Sequence, residues 1–178
     1  MYVSSSNRSP LQGVTIARVN EAALEDVHAL LDRATQWLAS QGMNHWNGVH
    51  TKERIAADFE KSHVLVAKLN GLSVGTVTIS FETPWYHQPS DKKFWEEPSV
   101  SAGYIRKLVV VPELMKNGIG TKLLIEAEKD ARATGALYAR LDTNPAFPTL
   151  VPYYQARGYL KKGERDGSSF FEKRLPPS

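Results

Sequence analysis

Two glycines one residue apart, Gly118 and Gly120, follow the apolar run Leu108-Val109-Val110-Val111. They open a segment with apolar residues at Ile119, Leu123, Ala127 and Ala131. A strand that passes through a short loop into an amphipathic helix gathers unpaired backbone N–H groups at the helix N-terminus, where the peptide dipoles also favour an anion. Without a Cβ at 118 or 120, a pyrophosphate can approach the backbone closely. Lys116 and Lys122 would add positive charge. Two familiar phosphate loops do not fit. A Walker loop needs Gly-Lys-Ser/Thr, and Gly120 is followed by Thr121-Lys122-Leu123; a dinucleotide fingerprint needs a small third residue at 123, which is Leu. Gly-x-Gly alone is also a common structural turn, so both readings stand at this point.

Other groups with chemical potential are dispersed. Cysteine is absent, which excludes disulfides, thiolate metal sites and a cysteine nucleophile. His28, His63 and His87 are isolated, and His45 and His50 share a loop without a fixed partner, so no metal site is expected. Trp37, Trp46, the Trp85-Tyr86 pair and the Phe94-Trp95 pair are spread over regions that read as helix ends and loops. A flat aromatic wall suits an apolar or cationic ligand, and the same residues can equally fill a core.

The elements that must position these groups follow from periodicity and punctuation. Val14 to Val19 reads as a strand. Asn20 caps an amphipathic helix with Leu24, Val27, Leu30, Leu31 and Ala34 on one face, ending near Gly42. A shorter helix opens at Thr51 and runs to Phe59. Strands at His63–Leu69 and Ser73–Phe81 are joined by an Asn70-Gly71 hairpin turn. Thr83–Ser101 carries Pro84, Pro89 and Pro98 among aromatics, a long irregular loop of the kind that often carries function. Tyr104–Val111 is a strand, and strict alternation puts Tyr104, Arg106, Leu108 and Val110 on one face. A helix from Gly118 to a C-cap at Gly135 precedes a strand at Ala136–Asp142. A short helix at Pro148–Ala156 and strands at Tyr159–Lys162 and Ser168–Lys173 complete an α/β chain with helices on the faces of a mixed sheet. Residues 1–12 are expected to form a flexible tail and 13–175 one domain.

Taken together, the strand, Pro112-Glu113, the polar stretch and Gly118-Ile119-Gly120 with Leu123-Leu124 closely resemble the acetyl-CoA loop of the GCN5-related N-acetyltransferases. Asp142 and Asn144 after a strand, then Tyr153-Tyr154-Gln155-Ala156-Arg157-Gly158-Tyr159, resemble that family's closing motif. The resemblance spans Val14 to Lys173. It implies the family fold: a mixed, mostly antiparallel sheet of about six to seven strands, flanked by helices and splayed at an acetyl-CoA cleft. It further implies that Leu108, Val109 and Val110 hold the pantetheine arm, and that Met115, Lys116, Asn117, Gly118, Ile119, Gly120 and Thr121 cradle the pyrophosphate. Asn144 would contact pantetheine or amine, and Tyr154 would protonate the departing thiolate. One departure is Met115, where the family usually has Arg or Gln; Lys116 is a candidate replacement. The family's strand carboxylate matches a position near Tyr104, and no acid lies between Glu97 and Glu113. Glu82, His87, His45 or a water chain are the alternatives for the base. Trp37, Trp46, Glu82, Trp85 and Tyr104 are candidate acceptor contacts.

The expected activity is direct acetyl transfer from acetyl-CoA, without a metal, to a primary amine of a small molecule. The alternative is a non-catalytic acyl-CoA-binding module. Composition is that of an ordinary globular chain: 178 residues, 42% hydrophobic and 23% charged, with a net charge of +3 that is interleaved with acids apart from two small clusters, Arg106-Lys107 and Lys161-Lys162 with Arg165. A nucleic acid is therefore not an expected partner, nor, without an apolar run of about 18 residues, is a membrane; a homodimer is left open, and the expected location is cytoplasmic.

Overall fold

The computed structural model describes residues 11–177. Of the tail expected over 1–12, only residues 11 and 12 are among them, in a turn that enters the first strand. The seven strands are β1 (Val14–Val19), β2 (Ser62–Leu69), β3 (Leu72–Ser80), β4 (Ala102–Val110), β5 (Tyr138–Thr143), β6 (Leu160–Arg165) and β7 (Ser168–Arg174). They form one sheet in the order β1-β2-β3-β4-β5-β7-β6. Every neighbouring pair is antiparallel except β4 and β5, which are parallel. The helices are α1 (Leu24–Ser40), α2 (Lys52–Lys61), α3 (Ile119–Ala133) and α4 (Leu150–Gln155).

Local chemistry explains the boundaries. The Asn20 side chain accepts from Ala22 N–H at 3.0 Å and starts the short 3₁₀ turn that leads into α1. Thr51 caps α2 in the same way by accepting from Arg54 N–H. α1 buries Val27, Leu30, Leu31 and Ala34, and α3 buries Ile119, Leu123, Leu124, Ala127 and Ala131, each a single stripe at helical spacing.

The two helical layers lie on opposite faces. In β4, a Cβ on Gly103 would sit 2.6 Å from Ala131 Cβ of α3, so the missing side chain is what lets α3 lie so close. Arg106, three residues on and therefore on the other face, bonds to Asp58 of α2 at 2.7 Å. The proline-rich loop covers the α2 face of β4, β5 and β7, with one 3₁₀ turn at Pro89–Phe94. It is pinned firmly. Asp91 pairs with Arg165 at 2.7 Å, and the fully buried Arg140 donates to Glu172 at 2.8 Å and to Glu97 O at 2.7 Å. The Arg140 guanidinium also lies over the rings of Trp95 and Tyr138, at 5.1 and 5.5 Å.

Strict alternation along β4 fails at one point. Thr78 faces Arg106 but Thr76 faces Val109, so one extra residue is accommodated in β4, and Lys107 takes φ of 54°. Arg106 and Lys107 consequently both reach the Asp58 carboxylate. Past the bulge the faces exchange: Val109 now shares the face of Arg106, and Val110, opposite Gly75, turns toward α3. This corrects the grouping of Tyr104, Arg106, Leu108 and Val110 expected from the sequence.

Candidate active site

The sheet opens in its middle. β4 and β5 face one another only at Ala102–Tyr138, Gly103–Ala139 and Tyr104–Arg140. β4 runs on to Val110 and β5 to Thr143, yet no further residues pair. The β5-facing edge of Leu108, Val109 and Val110 therefore presents backbone groups that no neighbouring strand of the sheet satisfies, which is where an extended ligand can add like a strand.

At the end of that opening, Pro112–Leu114 forms a 3₁₀ turn, Lys116 takes φ of 64° and Gly118 φ of 84° before α3 begins. The first bond of that helix is Lys122 N–H to Gly118 O at 3.0 Å. The amides of Ile119, Gly120 and Thr121 thus have no intrahelical acceptor. Their surroundings fit an anion with a close backbone approach. A Cβ on Gly120 would stand 3.3 Å from the Tyr153 hydroxyl, which is buried and has no hydrogen-bond partner among the described residues. Arg157 lies over the Tyr153 ring at 3.6 Å and donates to Thr121 Oγ1 at 2.6 and 3.0 Å.

These contacts alter the expected roles. Lys122 does not serve the loop, because its ammonium donates to Val14 O at 2.7 Å. Ile119 is buried and contributes its backbone only. Met115 and Asn117 are half-buried and Lys116 is exposed. Arg157, which the sequence reading passed over, brings a guanidinium to the first turn of α3; the basic residue beside Gly158 is its only sequence signal.

Tyr154 sits on α4 with its ring against Tyr153, Tyr159 and Phe171. Burial, first, and then Tyr153 and Asp142 push its phenol pKa well up, so it stays protonated. Tyr154 packs on the α3 side of the sheet, since Phe171 faces Leu141. Asp142 lies on the other side.

The α2 side carries the remaining candidates. Asp142 Oδ1 accepts from His87 Nε2 at 3.1 Å, and the His87 side chain is 1% exposed. The Tyr86 hydroxyl lies beside the same carboxylate; burial, first, and Asp142 raise its pKa. Tyr104 is buried, its hydroxyl near Thr83 and Arg140. Trp46 meets His50 edge-on at 4.5 Å and lines a cavity with it, and Trp37 meets Phe147 at 5.8 Å; both are half-buried. Trp85 is 74% exposed, with the Arg54 guanidinium 5.4 Å above it. Glu82 is exposed and His45 likewise. Asn144 uses its side chain locally, accepting from Ala146 N–H at 2.9 Å.

Residues 31–159 match the model of the acetyltransferase (GNAT) family. The chain belongs to that family. It is an acyltransferase by that membership, and its fold agrees: the PaiA N-acetyltransferase of Thermoplasma acidophilum, solved in complex with coenzyme A, superposes with a TM-score of 0.72 at 17% identity, covering 90% of this chain and 98% of that one. Among curated relatives, the uncharacterized N-acetyltransferase YesJ of Bacillus subtilis (strain 168) is 26% identical over 85% of this chain and 84% of its own. The aminoalkylphosphonate N-acetyltransferase of Salmonella typhimurium (strain LT2) is 31% identical over 54% of this chain and 56% of its own. No helix among the described residues is long and apolar enough to cross a membrane, and no cluster of metal-ligating side chains is found among them.

Proposed function

We propose that this acyltransferase moves an acetyl group from acetyl-CoA directly to the primary amine of a small molecule. The observation that carries the reading is the opening between β4 and β5, which ends on the free amides of the α3 N-terminus. Acetyl-CoA is a thioester; its sulfur is a good leaving group, and a pyrophosphate lies within the same molecule. The Gly118–Thr121 amides and the Arg157 guanidinium suit the pyrophosphate. The unpaired edge at Leu108 to Val110 suits the amide-bearing pantetheine arm, and an N–H there polarises the thioester carbonyl.

The two faces divide the proton chemistry. Tyr154, kept neutral by burial on the α3 side, gives its proton to the thiolate as the C–S bond breaks. The acceptor enters from the α2 side, between the Trp46 and Trp85 regions. Direct transfer is favoured because the chain has no cysteine to carry an acyl group. A small acceptor agrees with the name of the Salmonella relative, which places its acetyl group on an aminoalkylphosphonate.

Calorimetric titration with acetyl-CoA, followed by release of CoA thiol in a panel of primary amines, tests the reading. Selective binding over ATP, with thiol release that depends on amine, supports it. Binding without thiol release across the panel leaves an acyl-CoA-binding module instead. Loss of both reduces the glycine loop to a structural turn.

A further inference from the structure

His87 and Asp142 are brought together from positions 55 residues apart. An ionised carboxylate can only accept, so in the neutral imidazole the proton of their bond sits on His87 Nε2 and the lone pair on Nδ1. That Nδ1 is buried without a partner among the described residues. A buried unpaired nitrogen costs about 1–3 kcal/mol, and a catalytic role is one of the reasons for which a folded chain bears that cost. His87 also lines a cavity of about 350 Å³ whose walls include Trp85 and Trp95. Its ring lies 5.8 Å from that of Tyr104, the last β4 residue to face β5. His87 therefore sits between an aromatic-walled cavity and the Tyr104 ring at the last paired position of β4.

We propose that His87 is the proton acceptor for the acceptor ammonium, with Asp142 holding its ring in the reactive tautomer. The inference rests on the acetyltransferase reading above. The ammonium donates a hydrogen bond to Nδ1 and gives up a proton to it, which leaves a neutral amine and an imidazolium paired with the Asp142 carboxylate. The amine lone pair then forms the C–N bond to the thioester carbon. As the tetrahedral species collapses, the C–S bond breaks and the thiolate takes the Tyr154 proton. Tyr154 recovers a proton from the N–H lost on forming the amide, and the imidazolium releases its own to solvent. One proton is released per turnover.

The charges around the ring favour this. Asp142 from β5 and Asp91 from the following turn are the carboxylates that face it, and Asp91 is itself tied to Arg165. Tyr86, Trp95, Tyr104 and Phe170 surround it as rings. Arg106, beside Tyr86, shares the Asp58 carboxylate with Lys107, and the buried Arg140 over the Trp95 and Tyr104 rings is paired with Glu172.

The test is His87→Gln, whose side-chain amide can keep the bond to Asp142 but cannot take a proton. We expect kcat to fall about 100-fold at neutral pH, in the range for loss of a general base, with acetyl-CoA affinity unchanged. The acidic limb of the kcat profile should also move up in pH toward the ionisation of the acceptor amine itself. Asp142→Asn should show the same shift with a smaller loss. A His87→Gln enzyme with wild-type kcat and pH profile overturns the assignment and leaves the transferase reading standing. Nitrogen NMR of the free protein decides independently of any acceptor: Nε2–H with a bare Nδ1 supports the assignment, and the opposite tautomer overturns it.

Discussion

Tyr104 and Arg140 are the last residues to face one another across β4 and β5, and both are buried on the α2 side of the sheet. The Arg140 guanidinium is only 3.5 Å from the Tyr104 hydroxyl and is anchored to Glu172. A buried cation, held by Glu172 and the Glu97 carbonyl, thus stands at the point where the strands part. Beyond it β4 bulges at Lys107 and the loop of Trp85 to Trp95 folds over β5, which separates an α3 face carrying Tyr154 from an α2 face carrying His87 and Asp142.

Gly120→Glu should abolish acetyl-CoA binding with the fold retained. The new side chain starts 3.3 Å from the Tyr153 hydroxyl and carries a carboxylate into the place of the free amides. Calorimetry and thermal unfolding read the two parts separately. Affinity within a factor of two of wild type would remove the loop from the ligand site.

The adjacent tyrosines should separate cleanly. Tyr154→Phe removes the hydroxyl proposed to protonate the thiolate and should lower kcat about 100-fold with little change in acetyl-CoA affinity. Tyr153→Phe removes the unpaired hydroxyl at Gly120 and should weaken acetyl-CoA binding several-fold while kcat stays close to wild type. An exchange of these two phenotypes in steady-state kinetics would transfer the acid role to Tyr153.

What the sequence could disclose was what its own neighbours decide. The turn at Asn70-Gly71, the stripe on α3 and the Gly118 to Thr121 loop are local, and each is where spacing put it. The bulge at Lys107 was illegible because the register of β3 against β4 creates it. Lys122 was misassigned to the loop for a similar reason, since the carbonyl that holds it belongs to Val14, 108 residues away. The His87 partner was hidden in the same manner, and an isolated loop histidine carries no periodic signal. Arg157 is part of a short motif whose tyrosine and glycine draw attention from it.

Asp58→Ala should destabilise the protein by about 3 kcal/mol, the scale for leaving buried charge unpaired. The bulge places Arg106 and Lys107 side by side, and Asp58 is the carboxylate that both contact, with side-chain exposures of 12%, 11% and 11% in that order. The Ser62 and Ser80 hydroxyls bond Arg106 but carry no charge to oppose it. Chemical denaturation measures the loss. A variant within 0.5 kcal/mol of wild type, about the effect of an ordinary surface change, would mean that solvent already screens the cluster.

His50 should make the fold sensitive to mild acid. Burial first, then Lys107, lowers its pKa from 6.5 to about 4, with Arg106 and Arg54 acting in the same direction and Asp58 against them. Both ring nitrogens are buried without partners among the described residues, so the folded state gives a proton on this ring little support. The unfolded chain protonates His50 as pH drops below about 6.5, whereas the folded one resists until about 4. Protons therefore favour unfolding across that window: the stability is fully present above 6.5 and is lost as pH falls toward 4. His50→Phe keeps an aromatic ring against Trp46 and removes the titration. Its melting temperature should fall less steeply than that of wild type between pH 6.5 and 4, and the two should run parallel above pH 7. Parallel curves throughout would show that the ring is solvated in the folded protein.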